Sequence, residues 1–195
     1  VPREIVATFD YRCPFARNGH EAVINALNDG ADLEVRFLPF SLDQAHVEEG
    51  DPPVWERDPS EWGTGTTALL YGIAVRDAFP EKFLEAHVEL FAQRHDHGKK
   101  LGHEDVLEEA IARVSLDVDA VKAEVWSGRP LKTLAAEHLE GVERWSVFGV
   151  PTYCEGEEAV FIRFMERGRA DDLLRALDLL DWTRLNEFKR TKVAR

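Results

Sequence analysis

Phe9-Asp10-Tyr11-Arg12-Cys13-Pro14-Phe15-Ala16, directly behind the apolar run Ile5-Val6-Ala7, is the stretch whose reading decides the fold. A strand ends near Asp10 and a helix begins at Cys13 or Pro14. Proline suits the first helical position, because the N–H it lacks has no partner there anyway. Apolar residues then recur at helical spacing at Phe15, Ala22, Val23, Ala26 and Leu27, and Asn28-Asp29-Gly30 closes the helix. Cys13 therefore stands at a strand-to-helix junction, among unpaired N–H groups at the positive end of a helix. Such a setting is expected to favour thiolate, lowering a cysteine pKa from about 8.5 toward roughly 3.5–7.5. Arg12 and Arg17 are expected to add positive charge, and His20 follows two turns along the same helix.

Outward from this turn, Arg3 to Phe9 reads as the first strand. Leu33-Glu34-Val35-Arg36-Phe37 reads as the second, ended by Pro39. The long crossover between them implies a parallel pair. Residues 41–65 mix Pro52, Pro53 and Pro59 with many acids and read as a loop, either a solvated connector or a lid. From Thr66 to Arg144 the pattern is helical throughout, in five segments separated near Pro80, Asp96-His97-Gly98, Val114 and Gly128-Pro130. That is too many helices for one crossover. After Pro151, two short apolar runs, Thr152 to Cys154 and Glu158 to Phe164, flank Gly156-Glu157 as a β-hairpin. A final helix runs from Ala170 to Leu180, and a basic tail carries Arg184, Lys189, Arg190, Lys192 and Arg195.

Asp10-Tyr11-Arg12-Cys13-Pro14-Phe15-Ala16 resembles the active-site turn of the thioredoxin-fold family that contains DsbA. That family's relatives include 2-hydroxychromene-2-carboxylate isomerase and kappa-class glutathione transferase. Gly149-Val150-Pro151-Thr152 resembles the same family's cis-proline loop, and the segment from Val118 to Met165 fits its pattern, so the likeness covers most of the chain. The resemblance implies an α/β, thioredoxin-like fold with an inserted α-helical subdomain. Residues 1–65 and 145–195 are assigned to the thioredoxin-like part and 66–144 to the insertion. It implies Cys13 as the catalytic residue, with Arg12, Pro14, Phe15, Val150 and Pro151 at the substrate side. Val150-Pro151 is expected to be cis and to face Cys13, with the Val150 backbone pairing extended substrate. One departure matters: dithiol members carry Cys-x-x-Cys, and here the fourth position is Ala16.

Without a second thiol at that position, release of a mixed disulfide falls to an external thiol or to another cysteine. Cys154 is the other cysteine of the chain, and its expected role is core packing. The leading functional reading is a thiol oxidoreductase with one active cysteine, CPFA. No cofactor is held, and a low-mass thiol such as glutathione or mycothiol serves as co-substrate. Substrates are small thiols or disulfides, or a protein disulfide. The alternatives are a kappa-class-like transferase or isomerase, in which a bound thiol is the nucleophile, and a binding module that has lost the chemistry.

The remaining signals set bounds. Net charge is −13, from 24 basic and 37 acidic residues, which argues against nucleic acid or an anionic membrane as partner. A homodimer stays open. His87, His95, His97 and His103 show no regular ligand spacing, so no metal is expected and they read as solvated or capping residues. Asp10 serves either proton transfer near Cys13 or the turn itself. Five tryptophans, at 55, 62, 126, 145 and 182, read by default as core. Neither a signal peptide nor a transmembrane stretch is visible. Two cysteines make no disulfide framework, and a cytoplasmic location is expected, although a chain starting at Val1 leaves room for a removed leader.

Overall fold

A computed structural model describes residues 1–191. Strand β1 (Arg3–Phe9) becomes increasingly buried toward its C-terminal end, where Ala7, Thr8 and Phe9 are fully enclosed. It pairs in parallel with β2 (Leu33–Pro39), in register from Arg3 opposite Leu33 to Phe9 opposite Pro39. The crossover is α1 (Pro14–Asn28), which starts on Pro14 with Cys13 as its cap. Its end is made by Gly30 at φ 84°, a left-handed conformation suited to glycine. This lets the Gly30 and Ala31 N–H groups return to the Leu27 and Ala26 carbonyls.

The sheet is completed by β3 (Thr152–Glu155) and β4 (Glu158–Phe161), in the order β2-β1-β3-β4, with β3 antiparallel to both β1 and β4. Alternation along the strands assigns the faces. Phe37 and Tyr153 point toward α1, where they meet His20 and Gly19 respectively. Leu38 points the other way, onto Gly141 of α7 (Arg129–Trp145). The last helix, α8 (Ala170–Leu177), packs beside α1.

Between β2 and β3 lie α3 (Thr66–Ala78), α4 (Phe83–His95), α5 (Glu104–Arg113) and α6 (Val118–Val125). They pack on one another through Leu69, Leu70, Ile73, Phe91, Leu107 and Ile111. This is an α/β thioredoxin-like fold with an inserted helical region. α7 belongs to both parts: it lies against β2, and its Glu137 takes Arg76 of α3 and Arg36 of β2.

Four local expectations change, and the simplest is that the last helix ends at Leu177, capped by Asp178, instead of Leu180. Residues 41–65 are not a plain loop but carry α2 (Leu42–Ala45) and two single helical turns, Val54–Glu56 and Pro59–Glu61. Acids and prolines that weaken long helices still make good caps: Asp58 closes a capping box with Glu61, and the Gln44 side chain accepts the Val54 N–H. The hairpin's second strand stops at Phe161 instead of Phe164. There the chain leaves the sheet for α1, where Asn18 donates to the Phe164 carbonyl and accepts the Gly168 N–H through its own. Of the tryptophans only Trp145 is in the core. Trp62 and Trp126 stack at 6.2 Å, each with its indole N–H satisfied, and Trp126 and Trp182 are exposed. Lys192 and Arg195 of the basic tail lie outside the described residues.

Candidate active site

The turn from Asp10 to Cys13 is fixed from behind. Asp10 is fully buried, and its carboxylate accepts the N–H groups of Arg12 at 2.9 Å and Leu42 at 2.8 Å. Its carbonyl accepts the Cys13 N–H at 3.0 Å. Burial pushes the Asp10 carboxyl upward, while neighbouring Arg12 and the two N–H groups draw it back. Of the two roles open to Asp10, the geometry supplies the turn-holding one.

Tyr11 points into the core and starts a directional hydrogen-bond chain. A carbonyl can only accept, so His20 Nε2–H donates to Thr8 O at 2.9 Å. Neutral His20 must then accept at Nδ1, from His87 Nε2–H at 2.9 Å. His87 Nδ1 accepts in turn from the Tyr11 hydroxyl at 2.8 Å. Both imidazoles are completely buried among Phe9, Phe37, Phe83 and Phe91. Burial lowers their basicity, His20 to about 4, and His87, with His20 beside it, well below the usual imidazole value. The expectation of a solvated His87 is thus corrected: an apolar helical face hid a buried polar partner. His95 caps the same turn, donating to Tyr11 O at 2.9 Å.

Arg12 and Arg17 do not face the thiol as charged neighbours, contrary to the sequence reading. Arg12 is held by Asp43 at 2.7 Å and lies 3.6 Å from Asp10. Asp43 also accepts from Gly65 N, Thr66 N and Thr66 Oγ1, so it couples the turn to the start of α3. Arg17 is spent on Glu21 and Asp96. Both arginines are paired with acids, and the distant ones, Asp43 for Arg12 and Asp96 for Arg17, are the partners that sequence distance concealed.

Cys13 itself is half-buried at the cap of α1. Its Sγ accepts the Ala16 N–H at 3.4 Å and donates to the Val150 carbonyl at 3.3 Å. The thiol pKa is raised, not lowered. Burial outweighs the Ala16 and Phe15 N–H groups, Asp10 adds repulsion, and Arg163 offsets part of it. The expected thiolate is therefore not the resting form. Ionisation has to break the bond to Val150 and overcome desolvation, and a helix N-terminus alone does not supply that.

The Val150 carbonyl meets Cys13, and the Val150-Pro151 peptide bond is cis. Thr152 N donates to Thr8 Oγ1, and Thr152 Oγ1 donates to Gly149 O, both at 2.8 Å, tying this loop to the end of β1. Pro14 is exposed and Phe15 half-exposed on the same side. Sequence reasoning missed Arg163, whose guanidinium lies 5.4 Å from the Phe15 ring and 5.8 Å from Phe161, with Phe148 packed on Phe161 at 5.0 Å. Nothing in its own neighbourhood of sequence marks Arg163, because Cys13 lies 150 residues away.

Cys154 occupies the opposite side of the sheet. β3 alternation turns it away from α1, toward Glu140 and Arg144 of α7, and burial pushes its thiol up to about 12. It sits opposite Val6, three residues or about 10 Å back from the strand end at Phe9. No group of three or more His, Cys, Asp or Glu suited to a metal occurs among the described residues. Among them, no helix is long and apolar enough to cross a membrane.

Residues 4–178 match the DSBA-like thioredoxin domain family. The chain is similar to Pseudomonas aeruginosa DsbA, at 16% identity and TM-score 0.64 over 94% of this chain and 84% of that one. It is also similar to a putative protein disulfide isomerase from Nitrosomonas europaea, at 14% identity and TM-score 0.65 over 93% and 98% of the two chains. An uncharacterized Bacillus subtilis protein, YwbO, is 25% identical over 177 residues, covering 77% of this chain and 86% of that protein.

Proposed function

The chain belongs to the DSBA-like thioredoxin domain family, and on that premise we propose that it is a thiol oxidoreductase working through Cys13 alone. The observation that carries the reading is the approach of Cys13 Sγ to Val150 O across the cis-proline loop, with Ala16 where a dithiol enzyme has its second cysteine. A disulfide laid along Val150-Pro151 displaces the S–H···O contact. The Cys13 proton leaves to solvent, and the thiolate is held by the N–H groups of Phe15 and Ala16 and by Arg163. It attacks one sulfur of the substrate, the S–S bond breaks, and the second sulfur leaves as thiolate with the bonding pair. A low-mass thiol then resolves the Cys13 mixed disulfide, because Ala16 offers no nucleophile.

Cys13 and Val150-Pro151 are the reacting and aligning groups in this scheme, Pro14 and Phe15 the exposed flank. Arg12 keeps the turn in place instead of touching substrate. Incubation with oxidised glutathione followed by intact mass and peptide mapping tests it. One glutathione on Cys13 is the expected product; an unmodified chain, or an adduct on Cys154, overturns it. The raised Cys13 pKa favours a second reading, a transferase-like or isomerase-like site. There the S–H, already a donor to Val150 O, donates instead to the sulfur of a bound thiol. That site binds reduced thiol tightly and forms no adduct.

A further inference from the structure

Most arginines on this chain are tied to acids, and the two beside the active turn, Arg12 and Arg17, are ion-paired with Asp43 and with Glu21 and Asp96. Arg163 is the exception at the thiol. It makes no ion pair or side-chain hydrogen bond among the described residues, although the chain carries 37 acids and a net charge of −13. It is exposed, yet its position is defined. The ring of Phe15, two residues after Cys13, lies under its guanidinium at 5.4 Å, and Phe161 flanks it at 5.8 Å. Phe148, 73% exposed, extends the same aromatic surface from the loop that carries Val150 and Pro151.

We propose that Arg163, held on Phe15 and Phe161, is the specificity-determining residue of this site, and that it selects low-mass disulfides bearing a carboxylate. The inference rests on the thiol-exchange reading and adds its substrate class. Guanidinium offers a planar fork of N–H donors to a carboxylate, and stacking on aromatic rings leaves those donors free at its edge. A carboxylate a few bonds from the reacting sulfur would meet them while the sulfur reaches Cys13. In a strongly negative protein, an anionic ligand is repelled everywhere except where a cation has been left uncommitted. An uncharged thiol such as mycothiol gains nothing from this contact, whereas glutathione does.

The exchange step is the one already given: Cys13–S bonds to one substrate sulfur, the substrate disulfide breaks, and the other half leaves as thiolate. Arg163 alters only which substrate is held. The test follows second-order adduct formation on Cys13 with oxidised glutathione, uncharged bis(2-hydroxyethyl) disulfide and cationic cystamine. The proteins are the parent, Arg163→Gln, Arg163→Glu and Arg163→Lys, and the uncharged disulfide corrects for any change in Cys13 ionisation. Relative to it, oxidised glutathione should slow about three- to fivefold in Arg163→Gln, the size expected of an exposed ion pair, and more in Arg163→Glu. Cystamine should speed up. Arg163→Lys should restore part of the glutathione rate, and the difference should shrink in high salt. Equal changes for all three disulfides, or none, overturn the selection by charge while leaving the exchange reading intact. Failure of every disulfide to react with parent Cys13 overturns both.

Discussion

The molecule holds two cysteines in neighbourhoods of opposite construction. Cys13 caps a helix, meets a loop from across the fold and opens to solvent. Cys154 lies inside a strand ladder under α7, with no exposed surface. Burial raises both thiols, so acidity alone does not separate them; geometry does. What distinguishes Cys13 is that its sulfur already takes the Ala16 N–H and meets Val150 O, with Arg163 held nearby on the Phe15 ring. Behind it, the Asp10 carboxylate and the Tyr11–His87–His20 chain are closed and satisfied.

The largest expected effect is a direct contrast in alkylation. With iodoacetamide at pH 8, Cys13 should react about a thousandfold faster than Cys154, as exposure and thiolate fraction both dictate. Because its pKa is raised, the Cys13 rate should still climb between pH 8 and 9. A plateau near neutrality would mean that the N–H groups and Arg163 outweigh burial after all.

The closed side behind Cys13 can be broken at His87. His87→Ala removes a buried ring and orphans both the Tyr11 hydroxyl and His20 Nδ1. A loss of roughly 3–5 kcal/mol in denaturant unfolding should follow, against little change for an exposed substitution such as Glu81→Ala. A loss under about 1 kcal/mol would mean the chain of histidines holds nothing.

The same chain has a pH signature. His20 is neutral in the fold down to about 4, while the unfolded chain binds protons from about 6.5. Stability should therefore fall as pH drops through that window, by roughly 3 kcal/mol from His20, whose own contribution to the slope ends below it. Unfolding midpoints at pH 7, 5.5 and 4.5 check this, and His20→Gln should flatten the slope. A midpoint unchanged from pH 7 to 4.5 would contradict the assignment of a buried neutral imidazole.

The smallest effect belongs to the other cysteine. Cys154→Ser buries a hydroxyl in place of a thiol and should cost about 1–2 kcal/mol of stability. Adduct formation on Cys13 should stay within twofold of the parent.

Much of this was legible from residues alone. Proline after Cys13, alternation in Leu33 to Phe37 and the Leu and Ile spacing after Thr66 are local patterns, and local hydrogen bonding turned them into the strands and helices observed. Signals that depended on distant partners misled or stayed silent. Arg12 and Arg17 look like cations available to Cys13 until Asp43 and Asp96 fold against them. His87 looks like one of a scattered group until it meets His20 from 67 residues away. Arg163 reads as one more charge on a hairpin until Phe15 slides beneath it.

The account's central claim is that Cys13 works without a resolving thiol. The direct test loads Cys13 with glutathione, removes free thiol, and follows loss of the adduct by intact mass in the parent, Ala16→Cys and Cys154→Ser. The adduct should persist in the parent and in Cys154→Ser and clear when reduced glutathione is added. In Ala16→Cys it should clear unaided, because a neighbouring thiol acts at high effective concentration. Unaided clearance in the parent, abolished by Cys154→Ser, would show Cys154 reaching around the sheet to resolve it and would contradict the claim.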